Sequence, residues 1–548
     1  MEKISKAKTA LLIALCALAL FLPFIGSTHL FDWDEINFAE AAREMLVTGD
    51  YLRVRIDFEP FHEKPPLFIW LQALSMSAFG VNEFAARLPN ALIGAISLAF
   101  IFLVGAEVRG RKFGLLWATV YGCSLLPFFY FKSGLIDPLF NLFMFSSIYY
   151  IFRRYSEQGE ANSRKYLYIA ALLAAGAALT KGPVGWLLVA LAWGLWHIIF
   201  RRKLRMPWAE FLIFMAIALA PLVAWFALVT PEAGFGIVNQ FISYQSRLLT
   251  TGDAGHSGPF FYHFLVLLLG CFPASALAIY AFRSVETEIA RQKLFSRLAL
   301  ALLLVVLIVF SIVKTKIVHY SSLAYFPVTY FGALAVWRFF GGEFKKKKAA
   351  AWTVLSVGAL VSAFMTAIPL LLINKELIMP KVDAFTRAAL AVESHWSGYE
   401  WLPGLLPLAG AVLAVIWAKK GKASHAFYAL FGANLVAVFT FMALVVPKVE
   451  PHSQGSIIEF FQSKRGVNCY IQPLGFKTYA HYFYAEREPR NSAYYHGMEK
   501  GKFTEYLLTH QLDRPAYFVT KLKHAEREKA KYNLKELYRK GGYVFFEK

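Results

Sequence analysis

Residues 31–70 read FDWDEINFAEAAREMLVTGDYLRVRIDFEPFHEKPPLFIW and form a charged segment in an otherwise apolar chain. An apolar run at residues 10–25 precedes this segment, and a shorter apolar run at residues 67–80 overlaps its end. Charged side chains beside membrane-spanning segments are costly, and they therefore indicate functional sites. We name residues 27–80 the acidic loop and predict that it forms the floor of an active site at a membrane surface.

The composition points to a membrane protein with many spans. Soluble domains carry about 25% charged residues, whereas this chain carries 17%, with 57% hydrophobic residues and a mean hydropathy of +0.47. The net charge of +21 is explained by Lys and Arg in cytoplasmic loops, so we expect no nucleic acid partner. The cysteines Cys16, Cys123, Cys271 and Cys469 are scattered, which indicates neither a disulfide framework nor a zinc motif.

The distribution of basic residues predicts the topology. Lys3, Lys6 and Lys8 precede the first apolar run, so we expect a retained helix whose N-terminus is cytoplasmic. If residues 66–80 lie in the interface or re-enter, every later large basic cluster between spans falls on the cytoplasmic side. The expected spans, about 13 in all, are 10–25, 85–108, 113–131, 138–152, 166–180, 184–200, 209–229, 259–282, 298–313, 321–337, 351–373, 402–418 and 425–446.

The C-terminal sequence differs from the rest. Residues 1–446 are predicted to form a transmembrane catalytic domain, and residues 447–548 a soluble α/β domain on the external, periplasmic side. In the second domain we expect helices at 456–462, 500–510 and 524–538 and strands at 468–472, 516–520 and 542–546. The chain has no G-x-G-x-x-G after a strand and no Walker A motif, so nothing indicates a nucleotide site.

The predicted topology gathers polar residues at one membrane face. A carboxylate there could activate a nucleophile, and cations could hold a phosphate leaving group. Without a nucleotide motif, a membrane-embedded lipid phosphate that carries a sugar is the natural donor. The residues near external span ends are Asp34, Glu63, Lys64, Lys132, Asp137, Lys181, Arg247, His256, Lys314, Lys316, His319 and Tyr320.

A compound motif in the acidic loop resembles a known family. It runs Asp34-Glu35, Phe38-Ala39-Glu40, Arg43-Glu44-Met45, Gly49-Asp50 and Phe61-His62-Glu63-Lys64-Pro65-Pro66, and continues in Arg87-Leu88-Pro89, Thr180-Lys181-Gly182-Pro183, His256-Ser257-Gly258-Pro259-Phe260 and Lys316-Ile317-Val318-His319-Tyr320. This pattern resembles the GT-C glycosyltransferases of the bacterial aminoarabinose (lipid A) transferase type, which are related to protein O-mannosyltransferases. The resemblance covers roughly residues 12–334. It implies a GT-C fold with 13 transmembrane helices and an external C-terminal domain.

The resemblance also implies catalytic residues. Asp34 matches the catalytic aspartate and would be the general base; the alternative is that it only caps the helix at 35–46. Glu63 and Asp137 match further active-site acids; the alternatives are an interfacial ion pair and a second helix cap. Glu35 and Lys181 are additional candidates.

Other residues would bind the carrier phosphate. These are Lys64, Arg247, Lys316 and Tyr320, and the last two are expected one helical turn apart on a shared face. His256 is a further candidate. No cofactor is required, but a divalent metal, if used, would be held by Glu63 and His256. We assign no role to His319, because relatives carry a small hydroxyl residue there.

The sequence thus predicts a bacterial inner-membrane glycosyltransferase. It would transfer a sugar, aminoarabinose-like or a hexose, from polyprenyl phosphate to a lipid A-type or other envelope acceptor, and act as a monomer. One alternative is a protein O-mannosyltransferase. A lipid-linked sugar transporter or flippase is an alternative of another class, but it would place charges in the middle of spans.

Overall fold

The computed structural model describes residues 5–61, 63–157, 163–200, 208–234, 236–250, 257–283 and 288–548. The first helix, α1 (Lys6–Phe21), leads into the acidic loop, which contains α2 (Asp34–Thr48), a short hairpin of β1 (Arg55–Ile56) and β2 (Glu59–Pro60), and α3 (Leu67–Phe79). α2 begins with two acids in its first turn, which the helix dipole favours. It ends at Gly49, whose φ of 70° is the left-handed conformation common after helices.

Helices make up nearly all of the described chain between the acidic loop and residue 446. They are α4 (Glu83–Arg109), α5 (Arg111–Gly122), α6 (Leu125–Tyr130), α7 (Asp137–Ser156), α8 (Arg164–Lys181), α9 (Val184–Phe200), α10 (Trp208–Ala233), α11 (Gly236–Thr250), α12 (Tyr262–Gly270), α13 (Ala274–Ala278), α14 (Ala290–Ile312), α15 (Tyr325–Phe340), α16 (Lys347–Ile373), α17 (Ala384–Leu390), α18 (Leu402–Lys419), α19 (Ala423–Phe427) and α20 (Ala433–Leu444). A 3-10 helix at Val318–Ala324 leads into α15, and a π-helical turn at Tyr428–Gly432 joins α19 to α20. The main hydrophobic core lies between these helices.

Among the described residues, seven helical stretches are long and apolar enough to cross a membrane. They correspond to α4, α10, α14, the 3-10 helix with α15, α16, α18, and the stretch from α19 onward. Other helices are shorter or carry charged ends, as α7 does with Asp137, Arg153 and Arg154. The expected number of 13 spans therefore stays a prediction.

The structure corrects the expected helix pattern in four places. Residues 113–131 form two helices, α5 and α6, and residues 259–282 form α12 and α13. A proline stands at the start of each second helix, Pro127 in the first turn of α6 and Pro273 at the N-cap of α13, where it cannot continue the preceding helix. Residues 321–337 begin in a 3-10 turn rather than an α-helix. The predicted external loop at 231–258 contains the helix α11, whose apolar residues lie on one side.

The C-terminal region folds around a four-stranded sheet. Its elements are α21 (Val446–Val449), α22 (Gly455–Gln462), β3 (Tyr470–Leu474), α23 (Ala480–Tyr484), α24 (Lys500–Thr509), β4 (Ala516–Lys521), α25 (Leu522–Tyr532), β5 (Lys535–Lys540) and β6 (Tyr543–Glu547). The strand order is β3-β4-β6-β5, with β3 and β4 parallel and the other pairs antiparallel. Three strands lie within two residues of their predicted positions. β5 was not predicted, because its Lys and Glu residues favoured an extension of the preceding helix.

The C-terminal region packs directly on the acidic loop. One hydrophobic cluster contains Ile36 and Met45 of α2 together with Phe461 of α22 and Phe545 of β6. The amide of Leu30 donates a hydrogen bond to the Tyr484 hydroxyl (2.6 Å). The loop and the C-terminal region thus share an apolar interface that a hydrogen bond reinforces.

Buried ion pairs reinforce this contact. Arg487 pairs with Asp57 (2.8 Å), and both side chains are at most 4% exposed. The Arg43–Glu40 pair (2.6 Å) is also buried, and Arg43 donates a further hydrogen bond to the Arg487 carbonyl. A protein loses much stability when one partner of such a buried pair is removed. We therefore expect the loop and the C-terminal region to unfold together.

Asp32 makes this contact pH-dependent. Burial raises its pKa to about 6, against the opposing effects of a hydrogen bond from Thr478, the amide of Tyr479 and the charge of Lys477. The folded state therefore favours the protonated carboxyl, and this stabilisation is present below about pH 4 and lost as the pH rises through 6.

We predict that Asp32→Asn removes this contribution, so that the melting temperature of the wild type relative to the variant falls between pH 4 and pH 8. A difference that does not change over this range would contradict the prediction.

Candidate active site

Two carboxylates, an imidazole and a lysine meet at one end of the helical region. His319 Nε2 lies 3.5 Å from Asp34 Oδ2 and 3.9 Å from Asp137 Oδ2. Lys181 Nζ lies 2.6 Å from Asp137 Oδ1. We name these four residues the Asp34 cluster. Its members come from sequence positions far apart, and three of them were predicted site residues.

Helix ends position the cluster. Asp34 and Asp137 are the first residues of α2 and α7, Lys181 is the last residue of α8, and His319 lies in the 3-10 helix before α15. The amide of Asn141 on α7 donates to the Ser322 hydroxyl (2.7 Å), which ties α7 to that 3-10 helix. The ends of four separate helices therefore fix the four side chains.

Neither carboxylate of the cluster serves as a helix cap. The N-cap positions of α2 and α7 are Trp33 and Ile136, and no hydrogen bond from a described backbone amide to Asp34 or Asp137 is found. The structure thus removes the alternative reading of both acids as caps.

Exposure separates the two carboxylates. The side chain of Asp34 is 40% exposed, whereas those of Asp137 and His319 are 4% and 11% exposed. Asp34 can therefore contact a substrate. The negative charge of the buried Asp137 is balanced by the ammonium of Lys181. Such an arrangement suits a carboxylate that accepts a proton or orients a nucleophile.

Other predicted residues lie around the cluster. The Lys181 ammonium is 5.3 Å from the centre of the Tyr320 ring. Lys64 lies within electrostatic range of both Asp137 and His319. Glu63 is half-buried in the turn after β2, and no ion pair between it and another described residue is found.

Glu35 belongs to a buried network and not to the open site. Arg87 donates to both of its oxygens, at 3.0 and 2.8 Å, and the amides of Phe31 and Gly134 donate to them as well. Burial alone would raise the pKa of Glu35, but Arg87 and these amides outweigh it and hold the pKa below its usual value. With its oxygens occupied by four donors, Glu35 positions the loop. Its candidate role beside the substrate finds no support in this geometry.

Lys316 also has a structural position. Its ammonium donates to the carbonyls of Phe310, Ser311 and Val313 at the end of α14. A lysine has three donors, so none is left for a phosphate while these bonds stand. The expected helical face shared with Tyr320 is wrong, because Lys316 precedes the 3-10 helix in an extended segment. Its stem does pack on Gly258, which brings two of the predicted motifs together.

The remaining predicted residues lie on or after α11. Arg247 is exposed on this helix. α11 packs against the end of α8, since the Phe241 ring occupies the space beside Gly182, the residue after Lys181. His256 lies outside the described residues. Among those that are described, no group of three His, Cys, Asp or Glu side chains could hold a metal ion, and the metal site at Glu63 and His256 stays a prediction.

Sequence reasoning missed two residues of the site. It gave His319 no role, although its imidazole stands between the two carboxylates. It noted Arg87 as part of a motif without recognising its function as the partner of Glu35. The available signal for Arg87 was an arginine in the first turns of an apolar helix, which requires a buried acid nearby.

Comparisons with known proteins agree with this fold. Residues 63–225 match the family model described as dolichyl-phosphate-mannose-protein mannosyltransferase. An undecaprenyl phosphate-alpha-4-amino-4-deoxy-L-arabinose arabinosyl transferase of Shewanella sediminis is 26% identical over 67% of this chain and 68% of its own length. The transferase of the same name from Pectobacterium carotovorum is 30% identical over 60% of this chain. That alignment spans 59% of the length of the Pectobacterium relative.

A solved structure matches nearly the whole chain. The crystal structure of ArnT from Cupriavidus metallidurans bound to undecaprenyl phosphate superposes with a TM-score of 0.77, covering 99% of this chain and 98% of that one at 17% identity. The match confirms the predicted GT-C fold, with its helical membrane region and small C-terminal sheet.

The Glu35–Arg87 pair gives a test of its structural role. Arg87→Met would leave Glu35 buried without its cation, and we expect a loss of about 3–5 kcal/mol of stability. The double variant Arg87→Met/Glu35→Gln should recover part of that loss, because glutamine is neutral and keeps one acceptor oxygen. Thermal unfolding of the purified proteins in one detergent measures both effects. A single variant as stable as the wild type would show that the pair is not needed.

Lys316 allows a matched comparison with its neighbour Lys314. Lys316→Met leaves the end of α14 without its donor, and we expect a loss of about 1–3 kcal/mol. Lys314 is exposed, so Lys314→Met should change stability by less than about 0.5 kcal/mol. If the two variants have equal melting temperatures and only Lys316→Met binds the lipid-linked sugar more weakly, Lys316 contacts the carrier phosphate instead.

Proposed function

We propose that this chain is an integral membrane glycosyltransferase that transfers a sugar from a polyprenyl phosphate carrier to an envelope acceptor. The sugar is aminoarabinose-like or a hexose, and the acceptor is lipid A-type or another envelope molecule. The observation that carries the proposal is the Asp34 cluster, with one exposed carboxylate held above a buried one. The GT-C fold supports it, as does the name of the matched structure, which is bound to undecaprenyl phosphate.

In the proposed reaction an acceptor oxygen attacks the anomeric carbon of the sugar. If the acceptor is a hydroxyl, its proton passes to Asp34 as the new bond forms. The bond between the anomeric carbon and the carrier phosphate oxygen breaks, and the phosphate leaves with the electron pair. Attack opposite to the leaving group inverts the anomeric centre. If the acceptor is itself a phosphate, its anionic oxygen attacks directly and no proton needs removal.

The remaining residues have supporting roles in this proposal. His319 is a positioning residue for Asp34, and Lys181 holds Asp137. Tyr320, whose ring lies beside the Lys181 ammonium, borders the carrier phosphate. Glu63 borders the site. Lys64 and Arg247 are the cations that stabilise the departing phosphate. Lys316 supports the segment that carries His319.

The proposal extends to location and assembly. The Asp34 cluster and the C-terminal region would face the periplasm, with the N-terminus in the cytoplasm of a bacterial inner membrane. The basic clusters at the other helix ends support this orientation. The enzyme would act as a monomer and without a cofactor, because the carrier bond stores the energy of the sugar.

The family model gives a second candidate acceptor. Its description names protein mannosylation, so a Ser or Thr hydroxyl of a protein could replace the lipid. The same donor tested with lipid A and with a model peptide distinguishes the two possibilities.

Asp34→Asn tests the proposed chemistry. The variant should lose about 10²–10⁴-fold in transfer rate to a hydroxyl acceptor, because the base is removed. Purified protein in nanodiscs would receive undecaprenyl phosphate-linked sugar and each acceptor, and product would be followed by mass spectrometry. Asp50→Asn is the matched control, since Asp50 pairs with Arg53 and Arg55 outside the Asp34 cluster.

Three outcomes bear on the proposal. Loss of transfer by Asp34→Asn with an unchanged melting temperature supports it. Full transfer to a hydroxyl acceptor by this variant removes the role of Asp34 as base. Movement of labelled carrier across the bilayer of liposomes without any transfer would identify a transporter instead.

A further inference from the structure

An apolar cavity lies at the end of the helical region opposite to the Asp34 cluster. It has a volume of about 210 Å³ and lies between α15, α16, α18 and α19. Ala335, Phe339, Val354, Ala414 and Phe431 are among the residues that line it. Nearly all of its wall is hydrocarbon, so an uncharged chain and not a polar solute fits inside.

Lysines surround the mouth of this cavity. Lys347, Lys348 and Lys419 line it directly, and the Lys347 ammonium lies 5.7 Å from the centre of the Phe339 ring in its wall. The nearby residues Lys345, Lys346, Lys420 and Lys422 are exposed. None of these seven lysines forms an ion pair with a described acidic residue. The mouth therefore carries a concentrated positive charge.

The position of these lysines adds a second argument. Lys347 and Lys348 lie in the first turn of α16, which contains no acid. The N-terminus of a helix is positive, so cations there are unfavourable unless an anion is close. A bound anion would satisfy both the helix end and the lysines.

The cavity is separate from the proposed active site. α15 begins next to the 3-10 helix of His319 and reaches the cavity at its last turn, through Phe339 and Phe340. Its 16 residues span about 24 Å. A carrier phosphate at Lys64 would therefore not reach these lysines.

We propose that this cavity binds an anionic glycerophospholipid of the surrounding membrane. One acyl chain enters between α15 and α18, and the phosphate is held by Lys347, Lys348 and Lys419. Aromatic side chains support a membrane boundary at this level, since Trp352 and Tyr428 are 72% and 71% exposed and such residues are typical of the interface. Basic pockets between transmembrane helices bind lipid head groups in this way.

Native mass spectrometry of the full, delipidated protein tests the proposal. Phosphatidylglycerol and phosphatidylcholine would be added separately, and we expect one tightly retained phosphatidylglycerol. The triple variant Lys347→Gln/Lys348→Gln/Lys419→Gln should bind it roughly 10- to 100-fold more weakly. A matched triple variant, Lys381→Gln/Lys502→Gln/Lys523→Gln, removes the same charge from exposed lysines elsewhere and should bind normally.

A second variant separates the cavity from simple surface attraction. Ala351→Phe fills the cavity from its half-buried rim while all the lysines remain, and it should also lose the retained lipid. Retention by Ala351→Phe would overturn the proposal, because the lysines alone would then explain binding. Normal binding by the lysine variant, equal retention of both lipids, or displacement by free glycerol 3-phosphate would overturn it as well.

Discussion

The buried pair of Arg87 and Glu35 is the interaction on which the site depends. Arg87 donates to the carbonyls of Ile25, Thr28 and His29 as well as to Glu35, and Glu35 accepts the amides of Phe31 and Gly134. Through these bonds the first turns of α4 hold three segments in place. The segments are the entry to the acidic loop, the start of α2 and the turn before α7. Asp34 is adjacent to Glu35, and Asp137 follows Gly134 by three residues. The same network thus sets the positions of both carboxylates.

Buried ion pairs are the reason why the acidic loop is so highly charged. Only Asp34 presents an exposed carboxylate to the Asp34 cluster, whereas Glu35, Glu40 and Asp57 are buried in pairs with arginines. The Arg487 partner of Asp57 belongs to the C-terminal region, so that region is part of the support of the loop. Charge in this segment mainly specifies structure, and it leaves one face open for chemistry.

Sequence reasoning succeeded where local pattern decides the outcome and failed where distant contacts do. Apolar runs predicted α4, α14 and α16, and short strand-like segments predicted β3, β4 and β6. The exposed edge strand β5 was missed, because its charged residues read equally well as helix. At the site, motifs indicated Asp34, Asp137 and Lys181, and the structure brings them together. The position of His319 depends on Asp34 and Asp137, which are distant in the sequence, so it could not be predicted. Lys316 bonds carbonyls only three to six residues earlier, but helical spacing did not indicate the extended segment that turns it back onto the end of α14.

The position of the carrier phosphate decides whether the Asp34 cluster is the reaction centre. A cryo-EM structure of the protein with an undecaprenyl phosphate-linked sugar analogue would locate it relative to the Asp34 cluster. We expect the phosphate to contact Lys64 and Arg247, the anomeric carbon to face Asp34, and Lys316 to keep its three carbonyl partners. A phosphate held by Lys316, or bound at the opposite end of α15, would contradict the account.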